Sequence, residues 1–314
     1  MVMTYQYGYG VQAFGEGGFG GYAEKYAEQP YLASDEPLIA YGNALALAGS
    51  QLTTTVGAYQ GGNGADNNPL DPLRMSSAGG IVALTYLPPS GGVTQGFGGG
   101  GFGGLTPPAI ALSCLILAAS RHESAGYRTP PNRVRVFAES GFGEGGFNLG
   151  GFGGSVVDKK LTAAANASEV IQFQPVNAVR VKMAFFGLPA TAVFPEIFLG
   201  NALKMPFLEM GFDPYHEVST GVSFMSESGR EYLQLRYRKM ELTPRWSYLD
   251  QARWQALDQF RETCLELKAP FYFSWMPNRR PNETYFVRNN AKVAAMPYVN
   301  AQYRSLSLNL VEVL

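Results

Sequence analysis

Charge is scarce in this chain. Only 16% of its 314 residues are charged and the formal net charge is −1, which leaves no field large enough to hold nucleic acid or an anionic membrane. That argues against nucleic-acid binding as the primary role; no membrane insertion is expected, because no apolar run is long enough to span a bilayer. Cysteine is scarcer still. Cys114 and Cys264 both sit in apolar runs, so they read as buried thiols rather than as a disulfide framework or a metal site, which fits assembly in a reducing compartment. Long hydrophobic runs are missing too, since the longest, Ala109–Ala119, is too short to span a bilayer. Met1–Gln12 has neither a basic leader nor a continuous apolar stretch, so no secretory signal is expected.

Catalytic signatures are also wanting. There is no GxSxG, Walker loop, HExxH or CxxC. The two histidines are His122 and His216. Arg121-His122-Glu123-Ser124 lies in a polar connector and reads as a solvated loop. His216 has Asp213 and Glu217 close by but no second histidine, a weak metal case. A glycoside hydrolase needs two carboxylates facing a cleft, and the acids of the first two-thirds are sparse: Glu139, Asp158 and Glu169 are expected at strand ends or in connectors. No catalytic residue, cofactor or metal ligand is assigned, and the chain is expected not to be an enzyme.

Glycine is abundant, at 38 residues, and it is clustered. One Gly–Phe pattern occurs three times, at Phe14–Gly21, Phe97–Gly104 and Phe142–Gly154, with irregular spacing and unlike sequences between, so it is a motif placed three times and not a solenoid repeat. Either these are flexible low-complexity loops, or the phenylalanines anchor loops that pack together at a protein–protein contact. Phe14, Phe19, Phe97, Phe102, Phe142, Phe147 and Phe152 are the subunit-contact candidates. The glycines would permit close backbone approach at a high ordering entropy. They make no phosphate cradle, because none is followed by Lys-Ser/Thr or opens an evident helix.

Between these copies the chain is β-rich. Residues Ala44–Val56, Ile81–Leu87, Ile110–Ala119, Arg133–Glu139, Glu169–Phe173 and Ala178–Phe186 read as strands. Val179, Val181, Met183 and Phe185 alternate with Arg180 and Lys182, and Val134 and Val136 with Arg133 and Arg135, so each of those strands has one wet face. Short strands punctuated by Gly and Pro imply a sandwich or jelly roll.

The last third reads as a compact α+β unit. Leu233, Leu235 and Tyr237 alternate with Gln234, Arg236 and Arg238, and the apolar phase slips before Met240 and Leu242, predicting a bulge or a bend near Lys239. Ser247 with Asp250 predicts a helix from Tyr248 to Lys268, with Leu249, Ala256, Leu257, Phe260, Cys264 and Leu267 on its apolar side and Pro270 ending it. Strands are expected at Phe271–Trp275, Thr284–Arg288 and Tyr303–Val313, the last on the alternation Leu306, Leu308, Leu310. The expected core is Leu233, Leu235, Trp246, Leu257, Phe260, Phe271 and Phe273. Phe271, Phe273 and Trp275 could form a sugar platform, but core against the helix is the stronger reading. Arg236-Tyr237-Arg238-Lys239 has the aromatic interleaving of a nucleic-acid site, yet Glu231 and Glu241 flank it, and a solvated or inter-subunit strand face is the stronger reading.

The order Asp71-Pro72-Leu73-Arg74-Met75-Ser76, the strands Ile81–Leu87 and Ile110–Ala119, then Asn132–Phe137 and Val179–Met183, resembles a discoidin-type, galactose-binding-like jelly roll. Followed by Phe194–Leu203, Pro244–Tyr248, the helix and Ala269–Phe273, the whole resembles the distal tail proteins at the tail tip, or baseplate, of long-tailed bacteriophages, over residues 31–314. The Gly–Phe insertions are foreign to that pattern. The expected organisation is an N-terminal Gly-rich arm (1–30), a jelly roll with Gly–Phe insertions (31–205) and an α+β ring-forming domain (206–314). The resemblance implies a virion structural protein, assembled in the host cytoplasm into a ring, a hexamer, that joins the tail tube to the host-recognition apparatus. Implied partners are copies of itself and other tail proteins (tube, tail-tip hub or fibres). The alternative is a carbohydrate-binding module attaching the virion to a host-surface glycan.

Overall fold

The computed structural model describes residues 35–44, 51–54, 59–60, 73–75, 81–87, 110–119, 131–139, 155–161, 167–178, 180–188, 193–194, 196–291, 297–300 and 302–313. These form a mainly β structure with one helix: β1 (Leu38–Tyr41), β2 (Gln51–Thr54), β3 (Tyr59–Gln60), β4 (Leu73–Met75), β5 (Ile81–Leu87), β6 (Ile110–Ala118), β7 (Arg133–Glu139), β8 (Ser155–Lys160), β9 (Glu169–Ala178), β10 (Arg180–Phe186), β11 (Val193–Phe194), β12 (Glu196–Lys204), β13 (Glu217–Met225), β14 (Glu231–Leu242), β15 (Arg245–Leu249), α1 (Gln251–Phe260), β16 (Phe271–Ser274), β17 (Thr284–Asn289), β18 (Arg304–Ser307) and β19 (Leu310–Glu312).

A nine-stranded sheet in the order β13-β14-β19-β17-β16-β1-β12-β6-β9 runs through the described chain, beside a five-stranded sheet in the order β2-β5-β10-β7-β8. Alternation decides how they meet. Val134, Val136 and Ala138 of β7, Val157 of β8, and Val181, Met183 and Phe185 of β10 are buried against Leu112, Leu115 and Leu117 of β6, Ile171 and Phe173 of β9, and Ile197 and Leu199 of β12. This is an antiparallel two-sheet sandwich, each strand turning alternate residues toward this core.

The same face of the long sheet carries a second core at its other end. There Ile39, Tyr41, Phe271, Phe273, Tyr285, Val287 and Leu310 pack with Leu257, Phe260, Cys264 and Leu265 of the helical segment and with Trp246, Leu249 and Leu306 of the β15–β18 pair. The opposite face buries Leu38, Ala40, Cys114, Ile116, Phe198, Tyr272 and Phe286. Strand β1 pairs with β12 on one side and β16 on the other. The sheet therefore crosses residue 205, where the sequence reading places a domain boundary.

Several local expectations are corrected. Ser247 does not cap the helix: it belongs to β15, whose Trp246 and Leu249 pair with Leu306 and Arg304 of β18. Asp250 is the cap itself, its Oδ1 accepting the Arg253 N–H at 2.8 Å. The α-helix ends at Phe260 and continues as a π-helical turn, Arg261–Glu266. The Thr263 hydroxyl donates to the Gln259 carbonyl at 2.7 Å, a side-chain bond that competes with the helical ladder. The wider turn brings Cys264 and Leu265 inward and leaves Leu267 at 77% exposure. Ala256 is also exposed.

The expected strand Tyr303–Val313 is two strands, because the chain changes sheets at Leu308–Asn309: β18 pairs with β15, and β19 lies between β14 and β17. Of Ala44–Val56 only Gln51–Thr54 is a described strand, and Ala44 is not in it. The bulge lies at Arg236 rather than Lys239, since Thr220 pairs with Tyr237 and Gly221 with Leu235. Asp158 sits inside β8, not at a strand end or in a connector.

Candidate functional site

The feature that most departs from a closed β fold is the hairpin β13–β14. Its turn follows from Ser226-Glu227-Ser228-Gly229: Gly229 adopts φ +77°, a left-handed conformation that glycine enters freely. The Gly229 N–H donates to the Ser226 carbonyl at 2.9 Å and the Ser226 N–H to the Arg230 carbonyl at 2.8 Å, closing the loop. β14 is 12 residues long and joins β19 only through Glu241 and Leu242. The ten residues before them, about 30 Å of strand at the usual rise, pair with β13 alone among the described strands.

Exposure agrees with the pairing. At the far end Phe224 is 54%, Met225 74% and Tyr232 47% exposed. Phe224 and Tyr232 face each other across the ladder with ring centroids 5.4 Å apart and planes within 14°. A bare two-stranded hairpin is marginal in water, and this one ends in apolar surface.

Its base, by contrast, is fastened from several sides. Phe212 packs edge-on against Phe273 and tilted against Trp275. The Tyr285 hydroxyl donates to the Pro214 carbonyl at 3.0 Å, and the Glu241 N–H to the His216 carbonyl at 3.0 Å. Glu283 is the hub: it accepts from the Trp275 indole at 2.6 Å, the Tyr215 hydroxyl at 2.9 Å and Arg280 at 3.0 Å. Arg280 also donates to the Tyr215 oxygen at 2.6 Å and lies over the Trp275 ring. The hydrogen bond to Glu283 raises the Tyr215 phenol above its ordinary pKa and raises that of Arg280 as well, so the clasp holds a neutral tyrosine and a charged arginine. On the other strand the Met240 N–H donates to Glu312 at 3.0 Å. The arm is thus aimed by its root while its tip has no described partner.

A second aromatic surface lies on the β15–β18 pair. Tyr248 and Tyr298 are exposed, Tyr248 meets Tyr303 edge-to-face, and the Arg304 guanidinium lies 4.1 Å from the ring centroids of both Trp254 and Tyr298. Arg304 also hydrogen-bonds the Tyr298 hydroxyl.

Sequence-derived candidates fall as follows. Trp246, Leu257, Phe260, Phe271 and Phe273 are buried in the C-terminal core. Leu233 and Leu235 lie on the arm's inner strand, but their side chains, like those of Arg236 and Tyr237, are outside the described residues. Arg238, from the same basic run, is exposed and 3.6 Å from Glu217 across the ladder. Phe14, Phe19, Phe97, Phe102, Phe142, Phe147, Phe152 and His122 lie outside the described residues. His216 is exposed, and among the described residues no group of three or more His, Cys, Asp or Glu could hold a metal. Cys114 and Cys264 are buried free thiols, the latter with its pKa raised to about 11 by burial. Tyr272 is raised well above its ordinary value by burial and by nearby Glu196. Among the described residues no helix is long and apolar enough to cross a membrane.

Asp158 is the one deeply buried charge cluster the sequence reading misplaced. It accepts from Arg133 Nε and Nη2 at 2.5 Å each and from Arg135 Nε at 2.9 Å. Burial pushes its pKa up, but the Arg133 hydrogen bonds and both arginine charges outweigh this and hold it below the ordinary value. With its oxygens engaged by arginine and no second acid in the cluster, it fastens β8 to β7 and offers no acid–base pair.

No family model matches this chain. No curated protein matches it either. Among solved structures, a Ruminococcus gnavus GH29 fucosidase in complex with fucose is similar with a TM-score of 0.35 and 11% identity, over 51% of this chain and 26% of that one. A CBM32 module of a Clostridium perfringens GH89 protein, in complex with GalNAc-β-1,3-galactose, gives 0.33 and 10% over 50% of this chain and 99% of that one. The CBM32-1, CBM32-2 and M60 catalytic domains of Clostridium perfringens ZmpB give 0.32 and 12%, over 55% and 15%. This chain spans about a quarter of the fucosidase. The neighbours are weakly matched carbohydrate-binding, discoidin-like domains and chains of carbohydrate-active and M60 proteins, and a likeness at these TM-scores decides nothing about activity. None of these three is a tail-tip protein.

Proposed function

We propose that this chain works by non-covalent attachment, with no reaction of its own, and that it assembles with protein neighbours through the β13–β14 arm. One observation carries the reading: a hairpin anchored at its base by Glu283, Tyr285 and Glu312 ends in exposed Phe224, Met225 and Tyr232. Aromatic side chains presented by a fixed element are the usual anchors of protein–protein contacts. In the setting the sequence resemblance implies, the neighbours are copies of the chain in a ring and other proteins of a phage tail tip. The test compares the sedimentation mass of the full chain with that of a Phe224→Ser/Tyr232→Ser variant. Association of the wild type and its loss in the variant, with unchanged circular dichroism, is the expected result. A wild type that sediments as one chain at every concentration refutes it.

The alternative gives the sandwich a glycan to hold, so that attachment is to a host surface. The loops at the sandwich poles that would grip a sugar lie largely outside the described residues. GalNAc-β-1,3-galactose, present in one similar structure, is the first ligand to try on a glycan array with the full chain. Binding that survives the arm variant, together with a monomeric wild type, would put this reading first.

A further inference from the structure

The outer edge of the arm has a composition that edge strands ordinarily avoid. β13, Glu217-Val218-Ser219-Thr220-Gly221-Val222-Ser223-Phe224-Met225, is nine residues long, ends the nine-stranded sheet, and has one charged residue, at its first position, and no proline. Exposed edges are usually blunted by lysine, proline, a bulge or a cover, because a free row of N–H and C=O groups templates another strand. Here the bulge sits on the inner strand, at Arg236, and β13 itself keeps an unbroken series of partners. Glu217, Ser219, Gly221, Ser223, Phe224 and Met225 are all exposed.

The strand is also close to a palindrome in chemistry about Gly221. Laid antiparallel against a copy of itself on a two-fold axis there, Val218 faces Phe224, Ser219 faces Ser223, and glycine faces glycine where the backbones come nearest. The only charged residue, Glu217, faces the uncharged Met225, so no like charges meet across the axis. A one-residue slip keeps the two-fold symmetry but pairs worse: in one direction it sets Ser219 against Phe224, in the other Glu217 against Phe224, and neither sets glycine against glycine.

We infer that the partner of the β13 edge is the β13 edge of a second copy of this chain, paired antiparallel with Gly221 on the two-fold axis. This rests on the arm being an assembly element; the contact is isologous and closes at two copies, so it joins chains pairwise and leaves the contacts that close a ring to other surfaces. Two arms joined in this way form a four-stranded ribbon, which removes the marginality of each hairpin alone.

The register makes the test specific. In an antiparallel pair directly opposed Cα atoms are about 4.5–5.5 Å apart, within the range a disulfide spans. Gly221→Cys in the full chain is therefore expected to give a disulfide-linked dimer on mild oxidation, seen on a non-reducing gel and reversed by reductant. The native Cys114 and Cys264 are buried and do not compete. Ser219→Cys alone places its thiol opposite Ser223 of the copy and is expected to stay a monomer on the gel, whereas Ser219→Cys/Ser223→Cys links. If Gly221→Cys does not link, or Ser219→Cys links equally well, the inference is overturned. Should Gly221→Cys fail while the Phe224→Ser/Tyr232→Ser variant still loses mass, the arm assembles by another geometry. Should the wild type be monomeric throughout, the assembly reading itself has failed.

Discussion

Replacing Asp158 by asparagine keeps the shape of the side chain and removes its charge, which isolates what the arginine clasp contributes to the sandwich. The carboxylate is 1% exposed and receives both nitrogens of the Arg133 fork and one from Arg135. Breaking one side of a buried ion pair ordinarily costs about 3–5 kcal/mol. Arg133 and Arg135 are 27% and 24% exposed, so water takes over part of their solvation, and the expected loss is about 2–3 kcal/mol. The assay is urea denaturation of wild type and variant across pH. Because the folded carboxyl sits below its ordinary value, its contribution is complete above the unfolded pKa of about 3.9 and is lost as pH falls through the lower, folded value. The gap between the two proteins should hold from neutral pH down to about 4 and close below it. A variant within about 0.5 kcal/mol of wild type at pH 7, the range of an ordinary surface substitution, or a gap that persists unchanged in acid, would refute the reasoning.

Two further substitutions probe the weld between the halves of the sheet. Gly200→Ala puts a Cβ 2.6 and 2.7 Å from the carbonyl oxygens of Tyr41 and Gly42, so β1 must move; despite a smaller unfolded-state entropy the variant should lose about 1–2 kcal/mol in the same assay. Phe260→Ala removes a fully buried ring that meets Phe271 at 4.9 Å and Tyr41 at 5.5 Å, both edge-on, and a loss of about 3–5 kcal/mol in chemical denaturation is expected.

What the sequence disclosed, and what it hid, divides along a physical line. Strands β7 and β10 were legible because apolar residues alternate with charged ones in the sequence, and the alternating Val134, Val136, Val181, Met183 and Phe185 are the residues found buried. β1 was missed because all four of its residues are buried, so no alternation remains, only a short apolar run. Leu306, Leu308 and Leu310 alternated properly and still misled, because the pattern is blind to a chain that passes from one sheet to another between them. Ser247 satisfied a local capping rule and lost to the pairing of β15 with β18, a contact distant in sequence that joins its neighbours Trp246 to Leu306 and Leu249 to Arg304. The candidate site was least legible of all. β13 mixes small polar residues with a mid-strand glycine, and six of its nine residues are exposed, so no strong apolar stripe marks it. Its one sequence signal was the turn composition of Ser226–Gly229 lying before the alternating run that begins at Glu231.

The continuity of the long sheet bears on how an arm of this kind could act. β14 passes from the exposed hairpin into the sheet at Glu241 and Leu242, and from there the ladder runs through β19, β17, β16 and β1 to β12, β6 and β9, the sheet half that forms one wall of the sandwich. β1 is the joint, since all four of its residues pair with β12, three of them pair with β16 as well, and the four contribute to the cores on both faces. A hinge would need a place where few packed contacts cross, and the candidate is the two-residue join of β14 to β19 at Glu241 and Leu242, stiffened by the Met240 N–H bond to Glu312 and by the Glu283 clasp. A neighbour that seizes Phe224 and Tyr232 therefore fixes the sandwich in orientation as well as in position. Stiffness at that root is what would turn a grip on the tip into a set direction for the sheet behind it.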